Sequence, residues 1–157
     1  MMRRLAVYVI LVSGLLLVGT EAWADEDVKM TCPATARRNT SVPVTVTFRN
    51  HKTKTVQVTR AALGMHLGNV TLIGPLVFTI PTTTVPAATF VPPPPSCFGC
   101  QGSTISATAT LPVNIPIPAQ ARPGTFISVG LGFFGFVGTS TVREALEAGG
   151  CTIEIVP

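Results

Sequence analysis

The sequence predicts an all-β protein, an antiparallel β-sandwich of about seven or eight short strands with one short helix near the C-terminus. Three observations carry that reading. Apolar and polar residues alternate at period two in segment after segment, the mark of strands with one buried face. Turn-forming Gly, Pro, Asn and Ser recur at the short spacing of sandwich connections. Beyond residue 24 the chain is sparse in charge and rich in Val, Thr, Ile, Gly and Pro, the composition of short strands and tight turns.

The N-terminus reads as an export signal. Arg3 and Arg4 precede an apolar run from Leu5 to Thr20, and Ala22-Trp23-Ala24 supplies an A-x-A cleavage site. Residues 1–24 are therefore expected to be a signal peptide. Residues 25–157 are expected to form a single domain with a proline-rich loop at 81–103. The apolar run is shorter than the ~20 residues that span a bilayer and is interrupted by Ser13-Gly14. No second run of that length follows, so no transmembrane segment is expected after cleavage, and the destination is the periplasm or the cell exterior. Tyr8 and Trp23, the only Tyr and Trp, leave with the signal, so Phe is the sole aromatic of the mature domain.

Taken in order, SVPVTVTFRN (41–50) is the clearest strand, with Val42, Val44, Val46 and Phe48 opposite Thr45, Thr47 and Arg49. After the polar turn Asn50-His51-Lys52-Thr53, TVQVTRAAL places Val56 and Val58 on its apolar face, and the two segments read as a hairpin. NVTLIGPLVFTI supplies one or two more strands. A break is expected at Gly74-Pro75, because proline cannot donate to a central ladder. PTTTVPAATFVPPPP (81–95) carries six prolines and is expected to be an extended, polyproline-like connection. STISATATL alternates again, with Ile105, Ala107, Ala109 and Leu111 on one face; PVNIPIPAQARPG continues as an edge strand whose prolines discourage association. TFISVGLGFFGFVG sets Ile127, Val129, Leu131 and Phe133 against Phe126, Ser128 and Gly130. In TSTVREALEAGG, Thr141 and Glu144 match a capping box and Gly149 a helix-ending glycine, which predicts a helix of at most two turns. CTIEIV closes the chain as a strand with Cys151, Ile153 and Ile155 on one face.

The stretch VPVTVTFRNHKTKTVQVTR resembles the secreted Ig-like and fibronectin-like modules common in bacteria. The resemblance is one of pattern and implies a fold. The Cys…Trp…Cys framework of antibody domains is absent, since no Trp follows residue 24. A fold of this kind does not itself imply a function.

Four cysteines in an exported chain imply two disulfides, for which three pairings exist. Cys32 shares a strand face with Met30 and Val28, and Cys151 shares one with Ile153 and Ile155. First and last strands commonly neighbour each other in a sandwich, so Cys32–Cys151 is the preferred pairing and Cys97–Cys100 remains as a local bridge. A thioredoxin-type CxxC needs a helix after it to stabilise the thiolate, whereas Cys97-Phe98-Gly99-Cys100 is followed by Gln101-Gly102 and a strand. Gln101 also stands where a c-type haem site needs His. A four-cysteine zinc site would need a second CxxC-like half. Copper handling through Cys97, Cys100, Met65 and His66 uses suitable ligand types, but no Cys–His–Met cluster of the cupredoxin kind follows Cys151.

Charge is one-signed over most of the chain. No acidic residue lies between Asp27 and Glu144, while Lys29, Arg37, Arg38, Arg49, Lys52, Lys54, Arg60, Arg122 and Arg143 lie within that interval. An anionic surface is thus a candidate partner, with Arg49, Lys52 and Lys54 as candidate contacts. No basic run reaches the length of a binding tail, and no specific nucleic-acid contact is expected. GLGFFGFVG offers Phe133, Phe134 and Phe136 as a candidate hydrophobic contact, against the alternative of core packing. With the acids confined to the two ends and no phosphate-binding glycine loop or nucleophile motif, no enzyme, catalytic residue or cofactor is expected. The leading expectation is an exported non-enzymatic module for interaction or structure with a protein or anionic partner. The alternative is a periplasmic thiol-redox or copper-handling protein.

Overall fold

The computed structural model describes residues 26–157; the expected signal peptide lies outside them. Ten strands follow in order: β1 (Glu26–Thr31), β2 (Thr35–Arg37), β3 (Ser41–Asn50), β4 (Val56–Leu67), β5 (Val70–Val85), β6 (Thr89–Val91), β7 (Ser103–Ile105), β8 (Ala107–Pro116), β9 (Phe126–Val137) and β10 (Glu144–Val156). They form a three-stranded sheet ordered β1-β3-β8, a five-stranded sheet ordered β2-β10-β9-β4-β5, and a separate two-stranded ribbon of β6 and β7. All pairings are antiparallel except β2 with β10, which is parallel. The all-β class agrees with the sequence, but the described residues hold more strands than expected and the five-stranded sheet is mixed.

One core joins the two larger sheets. Val44, Val46 and Phe48 of β3 meet Leu63 and Met65 of β4, Leu131 and Phe133 of β9, and Ile153 and Ile155 of β10 in a single buried cluster. Phe48 and Phe133 cross between the sheets with ring centroids 4.9 Å apart and planes at 82°, the edge-to-face arrangement that aromatic quadrupoles favour. Burial follows the alternation read from β3, the start of β4, β9 and the end of β10. The proline-bearing β8 lies at a sheet edge and turns Pro112 and Pro116 outward, where their missing N–H groups leave the core side untouched.

The expected C-terminal helix is absent: no helix occurs among the described residues, and Glu144–Val156 is one strand. Its first half pairs with β9, Glu144 opposite Gly135 and Leu146 opposite Phe133, and a bulge between Leu146 and Ala148 takes up the extra residue. Two helical turns are marginal without tertiary support, whereas the ladder pairs these backbone groups with β9 and buries Leu146. Ser140, not Thr141, supplies the local side-chain bond, its Oγ accepting from the Val142 N–H at 3.2 Å. Gly149 is no helix cap. A Cβ there would stand 2.7 Å from Cγ of Met30, so the glycine admits β1 of the facing sheet.

The break expected at Gly74-Pro75 is also absent, because β5 runs on for 16 residues. Leu63 pairs with Leu76 and Met65 with Ile73, which leaves Gly74-Pro75 bulged opposite Gly64. Val58 pairs with Thr83 and Arg60 with Thr79, so Pro81 sits in a second bulge. β5 is the outer strand of its sheet, and an edge strand tolerates proline at bulges.

Candidate contact surface

The stretch expected to be a proline-rich loop, 81–103, contains the end of β5 and half of a β-ribbon. Thr89 pairs with Ile105, Phe90 with Thr104 and Val91 with Ser103. All six residues are exposed. Successive strand residues point to opposite faces, so Phe90 lies on one face of the ribbon and Val91 and Ile105 on the other. Neither face is packed on the body. Between the strands, the Cys97 N–H donates to the Pro94 carbonyl at 2.9 Å, and Cys97 and Cys100 are disulfide-bonded. Gly99 takes φ of 85° in the closed turn, a conformation that disfavours residues with a Cβ. Phe98 stands at the tip with a relative exposure of 104%. Near the tip, a side chain at position 102 would collide with the Phe90 ring, which lies across Gly102.

Both roots of this arm meet the body at one place. The Ala88 N–H donates to the Lys52 carbonyl at 2.7 Å, and Ala107 pairs with Asn50. Asn50 is 1% exposed, the one buried polar residue among the described residues. Its Nδ2 donates to the carbonyls of Lys54 and Pro86, each at 2.8 Å, and its Oδ1 accepts from the Lys52 N–H at 2.9 Å. One amide therefore fastens the β3–β4 turn to the base of the arm. Sequence reading places Asn50 in a turn but gives no sign that it is buried.

The basic residues divide between two surfaces around that base. Arg49 points outward from β3 and borders a cleft of about 250 Å³ with Asp27, Lys29, Thr47 and Thr108. Lys52 and Lys54 border an open cleft of about 560 Å³ with His51, Thr53, Val137, Ser140 and Glu144. His51 Nε2 lies 3.1 Å from Asp27 Oδ2. The fold thus brings Asp27 and Glu144, 117 positions apart in the chain, beside the basic turn.

The Phe/Gly segment is split by strand alternation. Phe133 is fully buried, while Phe134 and Phe136 are half-buried on the outer face of β9. The Arg143 guanidinium lies 5.3 Å from the centroid of the Phe136 ring. Met65 and His66 are likewise on opposite faces of β4, Met65 in the core and His66 exposed. His66 Nδ1 is 3.3 Å from Thr71 Oγ1. The four residues of the copper alternative are therefore not gathered: two are on the arm tip, one is in the core and one is on the outer face of the five-stranded sheet. Among the described residues no group of three or more His, Cys, Asp and Glu converges as metal ligands would.

Cys32 and Cys151 are bonded, with Cα atoms 6.1 Å apart, as parity in the first and last strands predicts. All four cysteines are in disulfides, which fits an oxidising, extracytoplasmic environment. No helix among the described residues is long and apolar enough to cross a membrane.

No protein-family model matches the chain, and no curated protein sequence matches it. Solved structures are similar in architecture. The sporulation control protein Spo0M of Bacillus subtilis aligns at a TM-score of 0.44 and 10% identity over 85% of this chain and 50% of its own. The alkylpurine DNA glycosylase AlkC of Pseudomonas fluorescens, bound to DNA containing an abasic site analog, aligns at 0.42 and 14% over 89% and 33%. The CARDB domain of the PF1109 protein of Pyrococcus furiosus, in complex with di-metal ions, aligns at 0.38 and 10% over 89% and 97%. The chain thus spans half the length of the first and a third of the second. The likeness is that of a β-rich fold and reaches no family.

Proposed function

We propose that this chain is an exported, non-enzymatic module that acts by contact, in the periplasm or outside the cell, and that the β6–β7 arm is its contact surface. The arm itself carries this reading. Its strands are exposed on both faces, and its tip presents Phe98 entirely to solvent on a turn closed by a disulfide. An apolar side chain held rigidly in water is costly for the isolated molecule, and clusters of them mark contact sites. Rigid presentation also lowers the ordering cost of association. The body supports the arm through Asn50 and offers the basic turn beside it.

Two measurements test this against a thiol-redox or copper-handling role. Mass spectrometry with and without alkylation is expected to find both disulfides intact and inert to mild reductant. A Cu(I) titration is expected to show no stoichiometric end point. A Cys97–Cys100 pair that cycles readily, or a sharp copper end point, overturns the contact reading.

A further inference from the structure

We infer that the arm docks on an anionic lipid bilayer, with Phe98 entering the headgroup boundary and the basic turn at the arm's root facing the charged surface. This rests on the contact reading above and names its partner. The first support is charge. Between Arg60 and Arg122 the chain holds no Asp, Glu, Lys or Arg, so the arm can leave water without stripping the hydration from any ion. Its exposed apolar residues are Phe90, Val91, Phe98 and Ile105.

The second support is the distribution of those residues. Phe90 lies on one face of the ribbon and Val91 and Ile105 on the other. Apolar side chains on both faces suit a surface that meets the arm end-on rather than a groove that covers one face. The third is complementarity at the root. Lys52 and Lys54 border one cleft beside the root with Glu144, and Lys29 and Arg49 border another with Asp27; cations near an anionic leaflet are attracted to it.

Backbone chemistry limits the depth. Each strand of the ribbon pairs on one side only, and unpaired backbone groups are not satisfied in hydrocarbon. The arm therefore enters at the tip, at the level of an interfacial anchor.

The mature chain has no Trp, so Phe98→Trp makes a single reporter. With vesicles of phosphatidylcholine and phosphatidylglycerol, its emission is expected to shift to the blue. A Phe126→Trp control, at the opposite end of β9 from the arm, is expected to stay unshifted. Sedimentation with the same vesicles should show Phe98→Ser lowering the partition coefficient about tenfold and Phe98→Leu restoring most of it. Replacing Lys52 and Lys54 by Gln should weaken binding about fivefold per charge, and only where phosphatidylglycerol is present. Far-UV circular dichroism melts verify that each variant is folded. The inference is overturned if the folded parent does not bind vesicles, or if Phe98→Ser binds as well as the parent. It is equally overturned if the Phe98 effect appears only as loss of a concentration-dependent dimer, which would make a second copy the partner. None of these failures touches the disulfide and copper measurements above, so the contact reading stands or falls separately.

Discussion

In β3, Val44, Val46 and Phe48 are buried while Thr45 and Arg49 face water. In the β6–β7 arm, Phe90 and Val91 point to opposite faces, and every side chain of the two strands is exposed. Both regions are β-forming segments of Thr, Val, Ser and Phe, yet one builds a core and the other does not. Alternation states which residues share a face; whether that face is covered depends on what the rest of the chain brings to it. The body has a second sheet opposite β3. The arm has only itself, and a lone two-stranded ribbon is marginally stable in water. Covalent closure at the tip and the Asn50 clamp at the root take the place of a core.

The contrast can be broken from either side. The largest effect is expected for the pair Cys32→Ser and Cys151→Ser, which opens a bridge with a sequence separation of 119. The chain-entropy model puts its contribution at about 4–5 kcal/mol, read as a fall in the denaturant midpoint while Cys97–Cys100 stays oxidised. A loss near zero would mean that the core alone closes the body. Asn50→Ala comes next, at about 2–3 kcal/mol, because it leaves the Lys54 and Pro86 carbonyls and the Lys52 N–H without their partner. Amide exchange at Ala88 and proteolysis within 89–105 should rise as well. Unchanged exchange there would show that the arm's root is held by something else.

Gly149→Ala should cost about 1–3 kcal/mol by overpacking against Met30. Gly150→Ala, whose Cβ would have only the Val129 carbonyl at 3.4 Å as its nearest neighbour, is the milder control. Stabilisation by Ala at 149 would contradict the close approach of β1. The smallest effect on the body is expected from Cys97→Ser with Cys100→Ser. The unfolding midpoint should hold to within about 0.5 kcal/mol, since local opening is separable from global unfolding. Hydrogen exchange across Thr89–Val91 and Ser103–Ile105 should accelerate. A cooperative loss of the whole fold would make the arm part of the body.

The hairpin of β3 and β4 was expected from the sequence, but the sheet order separates them. β3 pairs with β1 and β8, and β4 with β5 and β9. Their apolar faces were legible because burial needs only the right period; their partners were not, because pairing is settled by which strands compete for the same edge. The same competition removed the helix. Thr141 and Glu144 satisfy a local capping pattern, but the free edge of β9 offered residues 144–149 a longer ladder and a buried place for Leu146. The arm left a weaker trace. Thr-Phe-Val and Ser-Thr-Ile flank the CxxC as β-forming triplets, and six prolines in 81–95 mask the signal.

Residue order alone thus settled the β class and the inward faces of β3, β9 and the end of β10, because these follow from side-chain period along a strand; it favoured the Cys32–Cys151 bond among three pairings, and the structure forms it. The tertiary structure decided the division into sheets, the parallel β2–β10 pair, the strand in place of a helix, the burial of Asn50 and the exposure of the arm. Each of those depends on which distant segment fills an edge or covers a face, and that competition is resolved only when the whole chain packs together.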